Sequence, residues 1–351
     1  MTRATQWHDN RRALLLKEAE LKRLRAPSPW SAIALIGVPT LHFILCYVST
    51  RLNVWQTFLL AYFPGSVVFM YLFSNAHEIF HGALGKALRH HRFKNIFLRL
   101  ATVTDISSGL YLYYKYGHGP HHFDQGTHNI DSLHQKYLVP SLDLDPVTQF
   151  KNIYKFKLSL DSEPQYRFPA IEHNRFLRFC AIFLMPLVDT VRELLVEPIK
   201  LFNWFRFKDA PWSRRTIENA FVQGILIISI LVAMGLLFRS WNHLLYVFFC
   251  RICFLGFLHP YGILWATTHS SVDENGVYQP AMSIQGKLST FLCAGINLHV
   301  EHHDLPWVPR GVLKRAADLR PDLYESLSGF SGFVEAARNL FRKHYVNVYS
   351  P

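Results

Sequence analysis

The most regular feature of the sequence is a set of four apolar segments, each close to the roughly 20 residues that a membrane-spanning helix needs. They cover residues 31–49, 54–73, 219–238 and 244 to about 265. The only Asp, Glu, Lys or Arg within them is Arg251, in the fourth segment. Residues 50–53 and 239–243 are so short that the segments must pair as helical hairpins. The pattern predicts an all-α integral membrane protein with four transmembrane helices in two hairpins.

A fifth apolar stretch, residues 176–205, has a different pattern. Charged residues interrupt it at helical spacing, at Asp189, Arg192, Glu193, Glu197 and Lys200. This spacing is typical of helices that lie in the membrane interface, so we expect no crossing here. Residues 7–25 likewise predict an amphipathic surface helix, and the charged first 29 residues do not resemble a cleavable signal peptide.

The positively charged residues are distributed unevenly between the regions that flank the apolar segments. Of the 37 Lys and Arg residues, 34 lie in three regions: residues 1–29, residues 74–218 and the chain from 259 onward. The positive-inside rule therefore places both termini and the long central loop in the cytoplasm. The net charge of +12 would by itself also suit nucleic acid, but this distribution favours a membrane, and we expect no nucleic-acid partner.

The predicted organisation has five parts. They are a cytoplasmic amphipathic N-terminal segment (1–29), the first transmembrane hairpin (30–73), a cytoplasmic cap with interfacial helices (74–218), the second hairpin (219–265), and the remainder of the cap with the C-terminal tail (266–351). The host membrane would be a bacterial inner membrane or the endoplasmic reticulum.

Composition excludes two classes of protein and suggests one kind of site. With 50% apolar residues, the chain can bury enough surface to fold, which excludes intrinsic disorder. Five Cys in 351 residues cannot form a disulfide framework. The 19 His are unusually many, and imidazole is the general ligand of transition metals.

The chemistry is concentrated in three histidine clusters: HEIFH at 77–81, HGPHH at 118–122 and HVEHH at 299–303. The predicted topology brings all three to the cytoplasmic face. On a helix, residues three or four apart share a face, so each cluster can direct two or three imidazoles at one point. Eight imidazoles exceed what one tetrahedral metal can use and suit two metals, with iron fitting both imidazole and O₂ chemistry.

Carboxylates near the clusters are candidates to accept N–H hydrogen bonds from the ligand rings. They are Glu78, Asp124, Asp131, Glu301 and Asp304.

Two other classes of protein share parts of this pattern. HExxH alone also marks zinc proteases, in which His77 and His81 would bind zinc and Glu78 would act as general base. That reading leaves two clusters unexplained. A metal transporter would need ionisable residues within the spans, where Arg251 has the wrong sign.

The arrangement resembles the membrane fatty acid desaturase superfamily and, more narrowly, the sphingolipid Δ4-desaturases, also called dihydroceramide desaturases. The resemblance rests on the three clusters, on Gly126 and Asp131, on LHP at 258–260, on HDLPWVP at 303–309, and on the N-terminal WHDNRRALLLKEAELKRL. It implies a cytoplasmic helical cap holding a non-haem di-iron site that uses O₂ to insert a double bond into a long acyl or sphingoid chain. Carried over by position, the ligands would be His77, His81, His118, His121, His122, His269, His299, His302 and His303.

The resemblance also bears on the partners. The sequence carries no flavin or nicotinamide fingerprint and no HPGG-type haem segment, so electrons are expected from a separate cytochrome b5 or ferredoxin with its reductase. The basic cap would suit an acidic donor. A lipid hydroxylase on the same site differs only in the fate of the substrate radical, and the sequence does not separate the two.

Overall fold

The computed structural model of the protein describes residues 3–24, 29–83, 91–123, 175–188, 190–191, 194, 214–268 and 279–342. Within these ranges the regular structure is helical, as predicted, and no β-strand is present beyond one isolated bridge between Ile284 and Phe330. The α-helices are α1 (Arg3–Leu15), α2 (Leu21–Leu24), α3 (Pro29–Ser49), α4 (Val54–Leu60), α5 (Ser66–His81), α6 (His91–Thr102), α7 (Gly109–Leu112), α8 (His118–Phe123), α9 (Arg175–Phe183), α10 (Arg214–Phe238), α11 (Asn242–Leu255), α12 (Tyr261–Thr267), α13 (Lys287–Leu292), α14 (His299–Asp304), α15 (Leu313–Ala317) and α16 (Phe333–Arg342).

Short helical turns of other kinds join some of these helices. Two are π-helical, Ala61–Gly65 between α4 and α5 and Tyr113–Gly117 between α7 and α8. Two are 3₁₀ turns, Arg310–Val312 and Pro321–Leu323.

Helices occupy all four of the predicted apolar segments. The run Val54–His81, of 28 residues, and Glu218–Phe238, of 21 residues, are long and apolar enough to cross a membrane. Ile33–Ser49 and Asn242–Leu255 are shorter apolar helices. Large apolar side chains on α3 and α10 are exposed, among them Ile36 and Leu236. Such surfaces suit lipid better than water.

The fourth segment is not the single helix that its composition suggests. Helix α11 ends at Leu255 because Gly256 adopts a left-handed backbone conformation, with φ of 114°. A Cβ at this position would lie 2.5 Å from the Cα of Gly262, so the chain turns back on itself closely here. A separate short helix, α12, then begins after Pro260.

The charge inside the fourth segment is paired. Nη1 of Arg251 lies 2.8 Å from Oδ2 of Asp105, and both side chains are completely buried. A buried charge is strongly unfavourable unless a partner compensates it. Asp105 follows α6 in the chain, so this ion pair links the predicted cap to the second predicted hairpin.

One face of the N-terminal helix α1 is buried against the rest of the protein. Its buried residues include His8, Arg11 and Leu15, which recur every three to four positions and face α14. Two of these three residues are polar. The buried face of α1 is therefore not the apolar stripe of a typical surface helix, and it contacts a buried polar group, Asp304. Leu15 joins a small separate core with Leu305.

The described part of the fifth apolar stretch is mainly α9. Ile182 and Phe183 are buried, and the carbonyl of Phe183 accepts a hydrogen bond from the backbone N–H of Leu258 at 3.2 Å. Phe176, at the other end, is 70% exposed. The charged positions on which the interfacial prediction depended lie outside the described residues, so that interpretation stays a prediction.

Candidate metal centre

Five histidines from the three clusters meet at one place. They are His77 and His81 of α5, His118 and His122 of α8, and His302 of α14, and one ring nitrogen from each lies within 4.8 Å of the others. The pairs from α5 and α8 are each four residues apart, so both members face the same side of their helix. Three of the five are buried and two are partly buried.

The spacing of the ring nitrogens fits a bound cation. The Nε2 atom of His81 lies 2.9 Å from Nε2 of His118 and 3.0 Å from Nε2 of His122. An imidazole nitrogen has one in-plane direction, holding either a proton or a lone pair, so it cannot make two well-aligned hydrogen bonds. Nitrogens bound to one metal ion at about 2.1 Å, by contrast, lie about 3.0–3.4 Å apart. The donor set therefore suits a first-row transition metal.

A second pair of histidines adjoins this group. Nε2 of His299 and Nε2 of His303 are 3.1 Å apart on α14. The ring centre of His303 lies 4.4 Å from that of His122. Nε2 of His302 lies 3.2 Å from Nε2 of His122. Seven of the nine histidines predicted as ligands thus form one continuous group. His121 belongs to α8 but its side chain lies outside the described residues, as does the whole of His269.

A π-helical turn prepares α8 for this role. The turn Tyr113–Gly117 places the Tyr113 hydroxyl 2.6 Å from Nδ1 of His118. When Nε2 of His118 binds a metal, Nδ1 carries the proton, and the hydroxyl oxygen can accept it. Such a partner holds the ring in the orientation and tautomer that ligation requires. Sequence spacing did not reveal Tyr113, because residues five apart align only in a π-helix.

One carboxylate oxygen of Glu78 has a backbone partner. Its Oε1 accepts a hydrogen bond of 2.8 Å from the backbone N–H of Arg310, in the loop that leads to α15. The side chain is buried, and this contact joins α5 to the segment following α14. The contact with Arg310 is therefore a structural link between two distant segments, and the hydrogen bond from a ligand ring to Glu78 stays a prediction.

The carboxylate of Glu301, on α14, is hydrogen-bonded by residues of the segment that precedes α13. Its Oε2 accepts a hydrogen bond of 2.5 Å from the Ser283 hydroxyl, and its Oε1 lies 3.4 Å from Nε2 of Gln285. Burial raises the pKa of Glu301 above its ordinary value, and the hydrogen bond from Ser283 partly opposes that rise. The same hydroxyl oxygen accepts the backbone N–H of Val300 at 3.1 Å. Ser283 therefore positions the first turn of α14.

Asp304 is held from the N-terminal helix. It is fully buried, with Oδ1 lying 2.7 Å from Nδ1 of His8 and Oδ2 accepting a hydrogen bond of 2.9 Å from Nε of Arg11. Arg12 donates to the backbone carbonyls of His303 and Asp304, at 3.0 and 2.9 Å. The ring of His8 lies 5.3 Å from that of His303. We call His8, Arg11, Arg12 and Asp304 the N-terminal clamp.

The clamp contains residues that sequence reasoning did not select. The sequence patterns assign no site role to His8, Arg11 or Arg12, which all lie within the predicted surface helix at residues 7–25. Polar residues do recur on one face of α1 in the sequence. Asp304, which they contact, lies about 290 residues later, so the sequence pattern alone does not indicate the contact. The remaining predicted carboxylates, Asp124 and Asp131, lie outside the described residues.

Comparison with known proteins gives the same family that the histidine clusters suggested. The model of the fatty acid desaturase family matches residues 49–333, most of the chain. A sphingolipid delta(4)-desaturase DES1-like protein of Arabidopsis thaliana is 22% identical, with 97% of this chain and 86% of that protein aligned. A sphingolipid delta(4)-desaturase of Schizosaccharomyces pombe is 24% identical over 91% of this chain and 78% of its own length. A Caenorhabditis elegans protein, described as a putative sphingolipid delta(4)-desaturase/C4-monooxygenase, is 29% identical over 45% of this chain and 44% of its own.

Proposed function

We propose, from the premise that the chain belongs to the fatty acid desaturase family, that it is a membrane non-haem di-iron enzyme that desaturates a sphingolipid. The family and these relatives make it an oxidoreductase of the desaturase class. The finer assignment, insertion of a double bond into a sphingoid or long acyl chain, draws on the names of the aligned relatives.

The observation that carries the proposal is the meeting of the three histidine clusters. Segments separated by about 40 and about 180 residues deliver five ring nitrogens to one point, with two further histidines beside it. No single local motif would produce such a group. The number and softness of the donors support two iron ions held by His77, His81, His118, His122, His299, His302 and His303, with His121 and His269 as further candidate ligands.

When bound, the irons supply the O₂-dependent removal of hydrogen from an unactivated methylene. The chain's own residues prepare for this step. The Tyr113 hydroxyl holds Nδ1–H of His118, so that its Nε2 faces the metal. The N-terminal clamp and Ser283 hold α14 in register with α5 and α8. The buried ring of Phe73 lies 6.2 Å from that of His77, and Trp265 packs against Phe73, so this side of the site is apolar.

We propose the predicted topology for the whole chain. Four apolar helices would form two transmembrane hairpins, 30–73 and 219–265, with both termini and the cap segments 74–218 and 266–351 in the cytoplasm. The helices found in all four segments support this arrangement, as does the distribution of Lys and Arg along the sequence. A membrane location also places the enzyme where a long-chain lipid substrate partitions. Electrons would come from a separate cytochrome b5 or ferredoxin with its reductase.

The zinc-protease alternative is not favoured by the composition of the site. A protease site of the HExxH type would use His77, His81 and Glu78. It would leave His118, His122 and His302 without a role, although they share the site.

Hydroxylation is the second candidate function, because one aligned relative carries both activities in its description. The two outcomes differ only after the first hydrogen has been removed. A product that has lost two hydrogens would show desaturation, whereas one that has gained an oxygen atom would show hydroxylation. Mass spectrometry of lipids from a host expressing the protein distinguishes them.

The first experiment measures iron and zinc per chain in detergent-purified protein and in the variant His302→Ala. We expect about two irons in the parent protein, on the assumption of two sites within one histidine group, and a clear loss in the variant. His344→Ala provides a matched control, since His344 lies in none of the three clusters. About one zinc that His302→Ala leaves unchanged would contradict the di-iron proposal.

A further inference from the structure

A cavity of about 810 Å³ lies beside the helix that carries His77 and His81, on the side of α5 near Tyr71. Its walls come from α3, α5, α13 and the loop between α14 and α15. Apolar residues such as Ala34, Phe291 and Leu298 form part of the lining. The cavity's lining includes none of the metal-site histidines, so it is a separate feature of the molecule.

The polar part of the lining is positive. It contains Arg310, Lys287 and Lys314, and no Asp or Glu is among the lining residues. Lys314 is partly balanced by Asp318, whose Oδ1 lies 2.7 Å from its Nζ, but that pair is exposed to solvent. Lys287 is exposed at the start of α13. Arg310 and Lys287, with Lys314 partly balanced, leave the lining of this concave space positive, which favours an anion.

Arg310 is the most constrained of the three cations. Its Nη2 donates a hydrogen bond of 2.9 Å to Oδ1 of Asn75, and its guanidinium carbon lies 5.2 Å from the centre of the Tyr71 ring. Its Nη1 is buried and has no hydrogen-bond partner among the described residues. A buried guanidinium nitrogen without a partner is costly. The guanidinium therefore keeps unused hydrogen-bonding capacity beside the cavity that Arg310 lines.

The surroundings of the cavity place it at a boundary between polar and apolar surface. Ile33 and Ile36, beside Ala34 on α3, are 58% and 75% exposed. Leu288 and Phe291 of α13 are 70% and 58% exposed. Exposed apolar side chains next to exposed lysines are typical of a protein surface at the level of lipid headgroups.

We propose that this cavity binds the phosphate of a lipid headgroup, with Arg310 and Lys287 as the residues that contact it. Arginine suits phosphate because its planar group donates two parallel hydrogen bonds, and lysine adds a point charge. The inference rests on the proposed function only in taking the chain to be embedded in a membrane.

The same arginine connects the cavity to the metal site. Its backbone N–H binds Glu78 and its side chain binds Asn75, and both acceptors lie on α5 within one turn of His77. A phosphate bound at Arg310 would therefore stabilise the helix that carries two of the metal-site histidines. The phosphate can belong to the substrate or to a separate phospholipid, and the two sources predict different kinetics.

The test measures binding of phosphatidic acid to the full-length, detergent-purified protein, with diacylglycerol as the probe that lacks phosphate. We expect binding of phosphatidic acid and little binding of diacylglycerol. Lys287→Gln should weaken phosphatidic acid binding about fivefold, the effect of one cation near a lipid surface. Arg310→Gln should weaken it tenfold or more, since it removes a charge-assisted hydrogen bond as well.

Lys17→Gln is the matched control, because Lys17 is also exposed but lies outside the cavity. Equal weakening by Lys17→Gln and Lys287→Gln would overturn the proposal, as it would mean general attraction to anionic lipid. Equal binding of diacylglycerol, or inorganic phosphate binding as tightly as phosphatidic acid, would also overturn it. Lys287→Gln keeps the test valid if Arg310→Gln fails to fold.

Kinetics with a phosphorylated and an unphosphorylated sphingolipid then identify the source. If the substrate's own headgroup binds here, Lys287→Gln raises KM for the phosphorylated lipid alone. If a separate phospholipid binds, phosphatidic acid changes activity on both substrates without competing with either. The binding measurement does not depend on turnover, so absence of any lipid product would contradict the proposed function while leaving this inference intact.

Discussion

The two sides of the histidine group are held in place by different means. Helix α5 has 16 residues, 13 of them buried, and it packs against α3, α6 and α11. Helix α14 has only six residues, all of them buried. A helix this short is not stable by itself, so its position depends on contacts from elsewhere.

Polar contacts from distant parts of the chain hold both ends of α14. Ser283 binds its first turn through Glu301 and Val300, and the N-terminal clamp binds its last turn. Apolar packing tolerates small changes of shape, whereas a buried hydrogen-bonded charge does not tolerate loss of its partner. We therefore expect the α14 side to be the more sensitive to a single polar substitution.

The largest effect is expected from Asp304→Asn. The substitution keeps the size of the side chain but removes the charge that compensates buried Arg11, so unfolding free energy should fall by about 3–5 kcal/mol. Iron content should fall as well, because α14 loses its side-chain attachment to α1 and keeps only the backbone contacts of Arg12. Chemical denaturation and metal analysis measure the two effects.

Asp318→Asn is the control for that experiment. Asp318 is an exposed carboxylate paired with Lys314, just beyond α15, and exposed pairs contribute little. If both substitutions left stability and iron content unchanged, the clamp would not hold α14, and the contrast between the two sides would fail.

A slightly smaller effect is expected for the ion pair on the α5 side. Arg251→Leu leaves Asp105 buried without its partner and should destabilise the protein by about 3 kcal/mol. The double variant Arg251→Leu with Asp105→Leu should recover most of this loss, since apolar packing dominates here. Thermal unfolding in detergent gives the comparison. A double variant no more stable than the single one would mean that this side also depends on polar contacts.

The smallest effect on stability, but a specific one on the metal, is expected from Tyr113→Phe. Loss of a partner to a ligand ring typically lowers metal affinity about 10–100-fold. Competition with a chelator measures this affinity. Tyr114→Phe serves as the control, because the Tyr114 hydroxyl donates to the backbone carbonyl of Phe73 at 2.9 Å. Equal losses in the two variants would remove the special role of Tyr113.

Much of the architecture was predictable because it follows from local patterns. The apolar segments predicted helices where the structure has them, and the i, i+4 spacing of His77 with His81 predicted a shared face. The three clusters together predicted the desaturase family, which the family match confirms. These features depend on helical periodicity and on residue chemistry, both of which can be read from neighbouring positions.

Other features depend on where distant segments meet. The break at Gly256 follows from its close approach to Gly262, and composition alone favoured a continuous span. Glu78 accepts a hydrogen bond from the backbone N–H of Arg310, more than 200 residues later in the chain. Neither contact leaves a periodic signal.

The sequence by itself therefore determined the helical class, the family and the histidines that come together. Only the tertiary structure decided how they are held: Tyr113 reaches His118 through a π-helical turn, and His8 and Arg11 reach Asp304 from the opposite end of the chain. The physical reason is that ligand identity is a property of single side chains. The hydrogen bonds that orient the ligands join groups whose proximity exists only after the chain has folded.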